Sequence, residues 1–127
     1  MQTLTEAYIE AMLWAELDED GDPLDDNCDP SDIDPDSRQS IERDCARFQA
    51  EAAPILDTLS ATDAQVGHDF LLTRNRHGAG FWDSPEKYGG QENADKLTEI
   101  AHTFGESNLY VGDDGVLYIM GEEPTNA

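Results

Sequence analysis

Apolar positions recur at helical spacing near the start of the chain. Tyr8, Ile9, Met12, Leu13 and Leu17 follow one another by threes, fours and ones, which predicts a helix over residues 5–17 with Thr5 as its cap. Trp14 lies off this stripe together with Ala7 and Ala11, so the helix either buries two faces or shows an aromatic to a partner; the size of the indole favours burial. A second stripe, Ile41, Cys45, Phe48, Ala52, Ile55 and Leu59, predicts a helix over residues 37–59, capped by Ser37 or Ser40 and kinked or restarted at Pro54. Cys45 sits on that stripe as a small core hydrophobe.

The period then changes. Over residues 67–74, Phe70 and Leu72 alternate with Asp69, Leu71 and Thr73, a glycine-rich run from Asn75 to Gly80 follows, and Phe81-Trp82-Asp83 comes next. This reads as a β-hairpin. Leu97, Ile100, Ala101 and Phe104 mark a third helix over residues 93–104, with Gly105 placed to stop it. Residues 108–111 and 116–120 read as two more strands joined by Gly112-Asp113-Asp114-Gly115, a tight hairpin connection. The expected class is therefore α+β, an antiparallel sheet of about four strands in two hairpins packed against three helices. One domain over residues 1–120 is expected for a chain of 127 residues, with 121–127 a frayed tail.

Between the first two helices the pattern is neither helical nor alternating. Residues 16–36 carry Glu16, Asp18, Glu19, Asp20, Asp22, Asp25, Asp26, Asp29, Asp32, Asp34 and Asp36, eleven acids in 21 residues with no Lys, Arg or His. Pro23, Pro30 and Pro35 hold the segment out of a helix. Asp18, Asp20 and Asp22 alternate, as do Asp32, Asp34 and Asp36; if extended, each triplet would place its carboxylates on one side about 6–7 Å apart, near the spacing of phosphates along a nucleic-acid strand. The bland alternative is a solvated loop that aids solubility.

Charge sharpens this picture. The chain carries 29 acids against seven Lys plus Arg, a formal charge of −22. Such a surface repels DNA, RNA and anionic membranes, and it attracts basic surfaces, among them the nucleic-acid-binding grooves of other proteins. No apolar run is long enough to span a bilayer. The start of the chain does not read as a signal peptide, and Cys28 and Cys45 form no C-x-x-C, so reduced thiols in a cytoplasm are expected.

Other chemistry fits the residues less well. Setting an EF-hand loop on Glu16 puts acids at its first, third and fifth positions and Gly21 at the sixth, but Pro23 takes the hydrophobic position and Asn27 stands where Glu belongs. His68, Asp69, His77 and Asp83 gather near the expected first hairpin without a zinc spacing or a catalytic signature. Arg38, Arg43 and Arg47 are placed to tie down part of the acidic loop, while Arg74, Arg76 and His77 form a basic cluster that could anchor acids elsewhere or serve a homodimer contact.

Gly67-His68-Asp69-Phe70, Thr73-Arg74-Asn75, residues 77–83 and residues 109–115, with the acidic stretch over residues 20–27, resemble a group of small acidic proteins of bacteriophages and prophages. The similarity covers most of the chain. It implies expression in a host bacterial cytoplasm and an inhibitor of a host enzyme, such as restriction, CRISPR or repair machinery. The expected function is thus a non-enzymatic DNA mimic without cofactor or metal. Its acidic residues 16–36, helped by Glu6, Glu10, Glu42 and Asp44, would dock in the basic groove of a host nucleic-acid-binding protein, with Trp14 or Tyr8 as an aromatic anchor if exposed. The alternative is a phage accessory protein whose acids bind calcium or a basic partner.

Overall fold

The computed structural model describes residues 2–18, 20–76 and 80–120. Four α-helices, α1 (Leu4–Ala15), α2 (Pro35–Leu56), α3 (Asp63–Arg74) and α4 (Gln91–His102), precede one antiparallel hairpin of β1 (Asn108–Val111) and β2 (Leu117–Met120). Among the described residues the sheet has these two strands alone, in register Asn108 to Met120 through Val111 to Leu117. The molecule is mostly helical, and the expected four-stranded sheet is replaced by a helix and 3-10 turns.

That correction lies in residues 63–83. Residues 67–74 form the last two thirds of α3, and Phe81–Asp83 is a 3-10 turn. Val66, Gly67, Phe70, Leu71, Leu72, Thr73 and Arg74 are all buried. A helix covered on every side shows no polar face, so its 3.6-residue stripe vanishes from the sequence and a short apolar run imitates a strand. The local signals are nevertheless helical: Thr62 caps the helix by accepting from the Gln65 amide at 3.1 Å, and Gly67 is where α1 crosses. A Cβ on Gly67 would stand 2.2 Å from the Leu4 carbonyl oxygen, so only glycine permits this approach. Residues 77–79, the middle of the expected turn and the site of His77, lie outside the described residues, as do residues 121–127.

The other elements follow the sequence closely. α1 is capped two residues before the expected Thr5, on a capping box between Thr3 and Glu6. α2 begins at Asp34-Pro35, not at a serine: Asp34 accepts from the amides of Asp36 and Ser37, and Pro35 fills the first helical position, where no donor is needed. The helix continues through Pro54 to Leu56. α4 ends before Gly105, whose φ of +73° lies in the left-handed region. Between them the core is aromatic. Phe48 of α2 stacks on Phe70 of α3 with centroids 4.1 Å apart, and on Phe81 at 5.7 Å; Tyr8, Phe104 and Tyr88 complete the layer.

A buried cation locks the layer together. Arg74 is 3% exposed and donates to Asp44 (2.9 Å), the Tyr8 hydroxyl (3.1 Å) and the carbonyls of Phe104 and Gly105. Its guanidinium also lies near the faces of Phe70 and Phe104. Arg74 does anchor a distant acid, and that acid is on α2, not in the acidic loop.

Candidate functional site

The acidic segment is folded by its own carboxylates. Leu17 and Pro23 form an antiparallel bridge closing a tight turn in which Asp18 Oδ1 accepts from the amides of Asp20 (2.9 Å) and Asp22 (3.0 Å). Leu24–Asp26 and Pro30–Asp32 are 3-10 turns. In the second, Asp29 accepts from the Ser31 amide while Asp32 accepts from the Asp29 amide at 2.8 Å, a reciprocal cap. Leu24 and Ile33 are the apolar pegs, both buried in the common core. Ile33 bridges Leu117 in parallel, with the Asp34 amide donating to the Leu117 carbonyl at 2.8 Å, so the segment is stitched to β2 as well as to α1.

This corrects the extended-triplet reading. Asp18, Asp20 and Asp22 curl around one turn, while Asp32, Asp34 and Asp36 occupy a 3-10 turn, a helix cap and the first turn of α2. Asp and Ser side chains satisfy local amides more cheaply than an extended chain satisfies none. The acids therefore sort by use. Asp18, Asp29, Asp32 and Asp34 hold the backbone; Asp20, Asp22, Asp25, Asp26 and Asp36 are exposed and make no ion pair among the described residues. Glu19 lies outside the described residues. Bonds from Ser31 hold the Asp29 carboxyl below the usual carboxylate range.

Glu16 is different again. It is half-buried, one carboxylate oxygen is enclosed without a hydrogen-bond partner, and desolvation pushes its pKa up to about 7. Burial and the carboxylates of Asp32, Asp18 and Asp29 likewise raise the Cys28 thiol, and burial takes the Cys45 thiol up to about 12, so both free cysteines are held protonated.

The flanking residues divide likewise. Glu42 pairs with Arg38 one turn away (3.2 Å), and Arg47 pairs with Glu51 (3.1 Å); among the described residues neither arginine makes an ion pair with the acidic loop. Asp44 is taken by Arg74, Glu6 by the α1 cap and Glu10 by the Gln2 amide group. Tyr8 is fully buried and is no anchor. Trp14, for which burial was expected, is 56% exposed at the end of α1, with its ring 5.9 Å from His68; Leu17, expected on the buried stripe, is exposed beside the acidic turn. α1 stops at Ala15, so Leu17 lies beyond the helix whose stripe it was read from, while Trp14 keeps its ring near His68 of α3 and is otherwise open to solvent.

The acidic segment also abuts the hairpin, which lies outside the site expected from sequence. Val111, Gly112 and Asp113 at the tip of the hairpin share a cleft of about 350 Å³ with Asp18, Asp20 and Leu24. On the hairpin's other face Tyr110 and Tyr118 stack, and the Tyr118 hydroxyl donates to Asp114 at 2.8 Å. The Val116 amide, and after it that bond, hold the Asp114 carboxyl down; the bond, with burial and the charge of Asp114, takes the Tyr118 phenol up to about 12. The alternation of buried Leu109 with exposed Tyr110, and of buried Leu117 with half-buried Tyr118, was the signal that could have found this pair.

Rival chemistry lacks convergence. Among the described residues no group of three or more His, Cys, Asp or Glu could hold a metal ion. His68, Asp69 and Asp83 border a polar depression of about 570 Å³, but Asp69 already accepts from Tyr88 (2.5 Å) and Gln65 (2.8 Å), and Asp83 accepts from the Gly80 amide. No helix among the described residues is long and apolar enough to cross a membrane. Comparison with protein-family models, curated proteins and solved structures found no match for the chain.

Proposed function

We propose that this chain is a phage-encoded acidic decoy that occupies the basic nucleic-acid-binding surface of a host protein, of the restriction, CRISPR or repair kind, in the bacterial cytoplasm. One observation carries the reading: an acidic segment whose outward carboxylates, Asp20, Asp22, Asp25, Asp26 and Asp36, make no ion pair with Lys or Arg among the described residues, on a chain of charge −22. A solvated loop needs no such construction. Here two apolar pegs, two 3-10 turns and a helix cap fix the charges in place, which lowers the ordering cost of docking.

The mimicry is of field, not of phosphate register, because the carboxylates lie on a curled surface. A concentrated negative field raises the on-rate with a basic groove and suppresses association with nucleic acid itself. Trp14, exposed next to the acidic turn, supplies apolar contact at the rim.

The test is a variant with Asn at Asp20, Asp22, Asp25, Asp26 and Asp36. These positions face solvent, so the fold should persist by circular dichroism. Recovery of a nucleic-acid-processing enzyme from bacterial lysate should fall at least about tenfold, and the wild-type interaction should weaken steeply as salt rises toward a Debye length of about 8 Å. Undiminished capture by the variant would defeat the proposal.

A further inference from the structure

The hairpin presents something that a repulsive surface does not require. Tyr110 and Tyr118 sit opposite one another on β1 and β2, their rings 5.7 Å apart and inclined by 30°, and Tyr110 is 43% exposed. The pair borders a shallow depression of about 490 Å³ with Val111, Gly112, Asp113 and Asp114. Its geometry is fixed from below. Tyr118 donates to Asp114 Oδ2, Asp114 Oδ1 accepts from the Val116 amide at 3.0 Å, and a side chain on Gly112 would come within 2.7 Å of the Tyr118 ring. An aromatic pair with Tyr110 exposed and a half-buried Tyr118 held from below loses little side-chain entropy on contact.

The surroundings select the occupant. From residue 97 to residue 127 the sequence has no Lys or Arg, and Asp113 and Asp114 stand beside the rings. Nucleic-acid bases also stack on tyrosine, but their phosphates would meet a surface of −22, and a second copy of the chain would bring the same charge. A planar cation satisfies both features at once, stacking on the ring faces while its edge reaches the carboxylates.

We propose that the Tyr110–Tyr118 face, with Asp113 and Asp114, is a docking platform for arginine side chains on an extended basic segment of the protein partner. This rests on the decoy reading above and adds to it a contact that tells arginine from lysine.

Fluorescence anisotropy with labelled oligoarginine and oligolysine of equal length separates the two claims. The wild-type chain should bind both at low salt and prefer oligoarginine by about three- to fivefold, the worth of a surface cation–π contact. Tyr110→Leu/Tyr118→Leu should erase the preference while keeping the affinity for oligolysine; Tyr110→Phe should retain it, which guards against a variant that merely unsettles the hairpin. Equal binding of the two peptides by the wild type, or a preference that survives both leucines, overturns the platform and leaves the decoy reading standing. Binding of neither peptide removes both. Concentration-dependent self-association that the leucines abolish, with no arginine preference, would assign the face to a second copy and overturn the proposal.

Discussion

Around Arg74 a single buried cation meets a carboxylate, a phenol, two carbonyls and two aromatic faces, whereas in the acidic segment five carboxylates face solvent and make no ion pair among the described residues. Both regions are charged and both are ordered. In the first, charge is the fastener, since taking a guanidinium out of water is tolerable only when every donor finds an acceptor. In the second, charge is cargo, and apolar pegs and turn chemistry do the fastening. A protein whose acids served stability would distribute its seven cations among them. Here four described ion pairs involve only Glu42, Glu51, Asp44 and Glu92, and none reaches residues 16–36.

The contrast breaks most sharply at the cation. Arg74→Met should destabilise the fold by about 3–5 kcal/mol in urea unfolding, because Asp44 and two carbonyls lose their donor inside the protein. The Tyr8 phenol, raised by burial despite the opposing pull of Arg74, would rise further. Leu24→Ala should cost about 2–4 kcal/mol by removing a fully buried peg, and proteolysis should then open residues 16–32 before the helices. Asp34→Ala should cost about 1 kcal/mol as a lost helix cap, while Asp34→Asn should restore most of it, which shows that the oxygen and not the charge is needed.

Smallest is the effect of pH on Glu16. With its ordinary pKa of 4.5 raised to about 7 in the folded chain, the ionised form is disfavoured by folding, so its contribution to stability is unchanged below the ordinary value and declines as pH rises from there to about 7. Glu16→Gln should flatten that decline, with a gain above neutrality held to at most about 1 kcal/mol by partial solvent screening. Added salt should move the two regions apart: melting temperature rises as repulsion among the exposed aspartates is screened, and partner binding falls.

Much of the helical frame was legible. The stripes of α1, α2 and α4, Gly105 as a stop and the hairpin over residues 108–120 stand in the sequence because each of these elements has a wet side against which the dry side can be recognised. α3 has almost none, so its helical period was erased and Gly67 read as a strand edge when it marks a crossing of backbones. The acidic residues were legible as a set but not by role. Asp29-Pro30-Ser31-Asp32 and Asp34-Pro35 carry the signature of caps, and weighing carboxylates as turn formers before weighing them as charges would have separated the holders from the exposed. Trp14 was misplaced because the size of its indole was weighed above its position off the stripe, and Leu17 because the stripe was carried past Ala15, where α1 ends.

The parallel bridge from Ile33 to Leu117 has a consequence for synthesis. The residues it joins are separated by most of the chain, so while a ribosome is still working through α3 and α4 the early aspartates are already outside the exit tunnel but have no strand to fasten to. Until β2 has emerged, Ile33 and Asp34 lack their anchor on Leu117, so a nascent or truncated chain would hold that end of the acidic segment loosely, while the turn closed by Asp18 needs no strand.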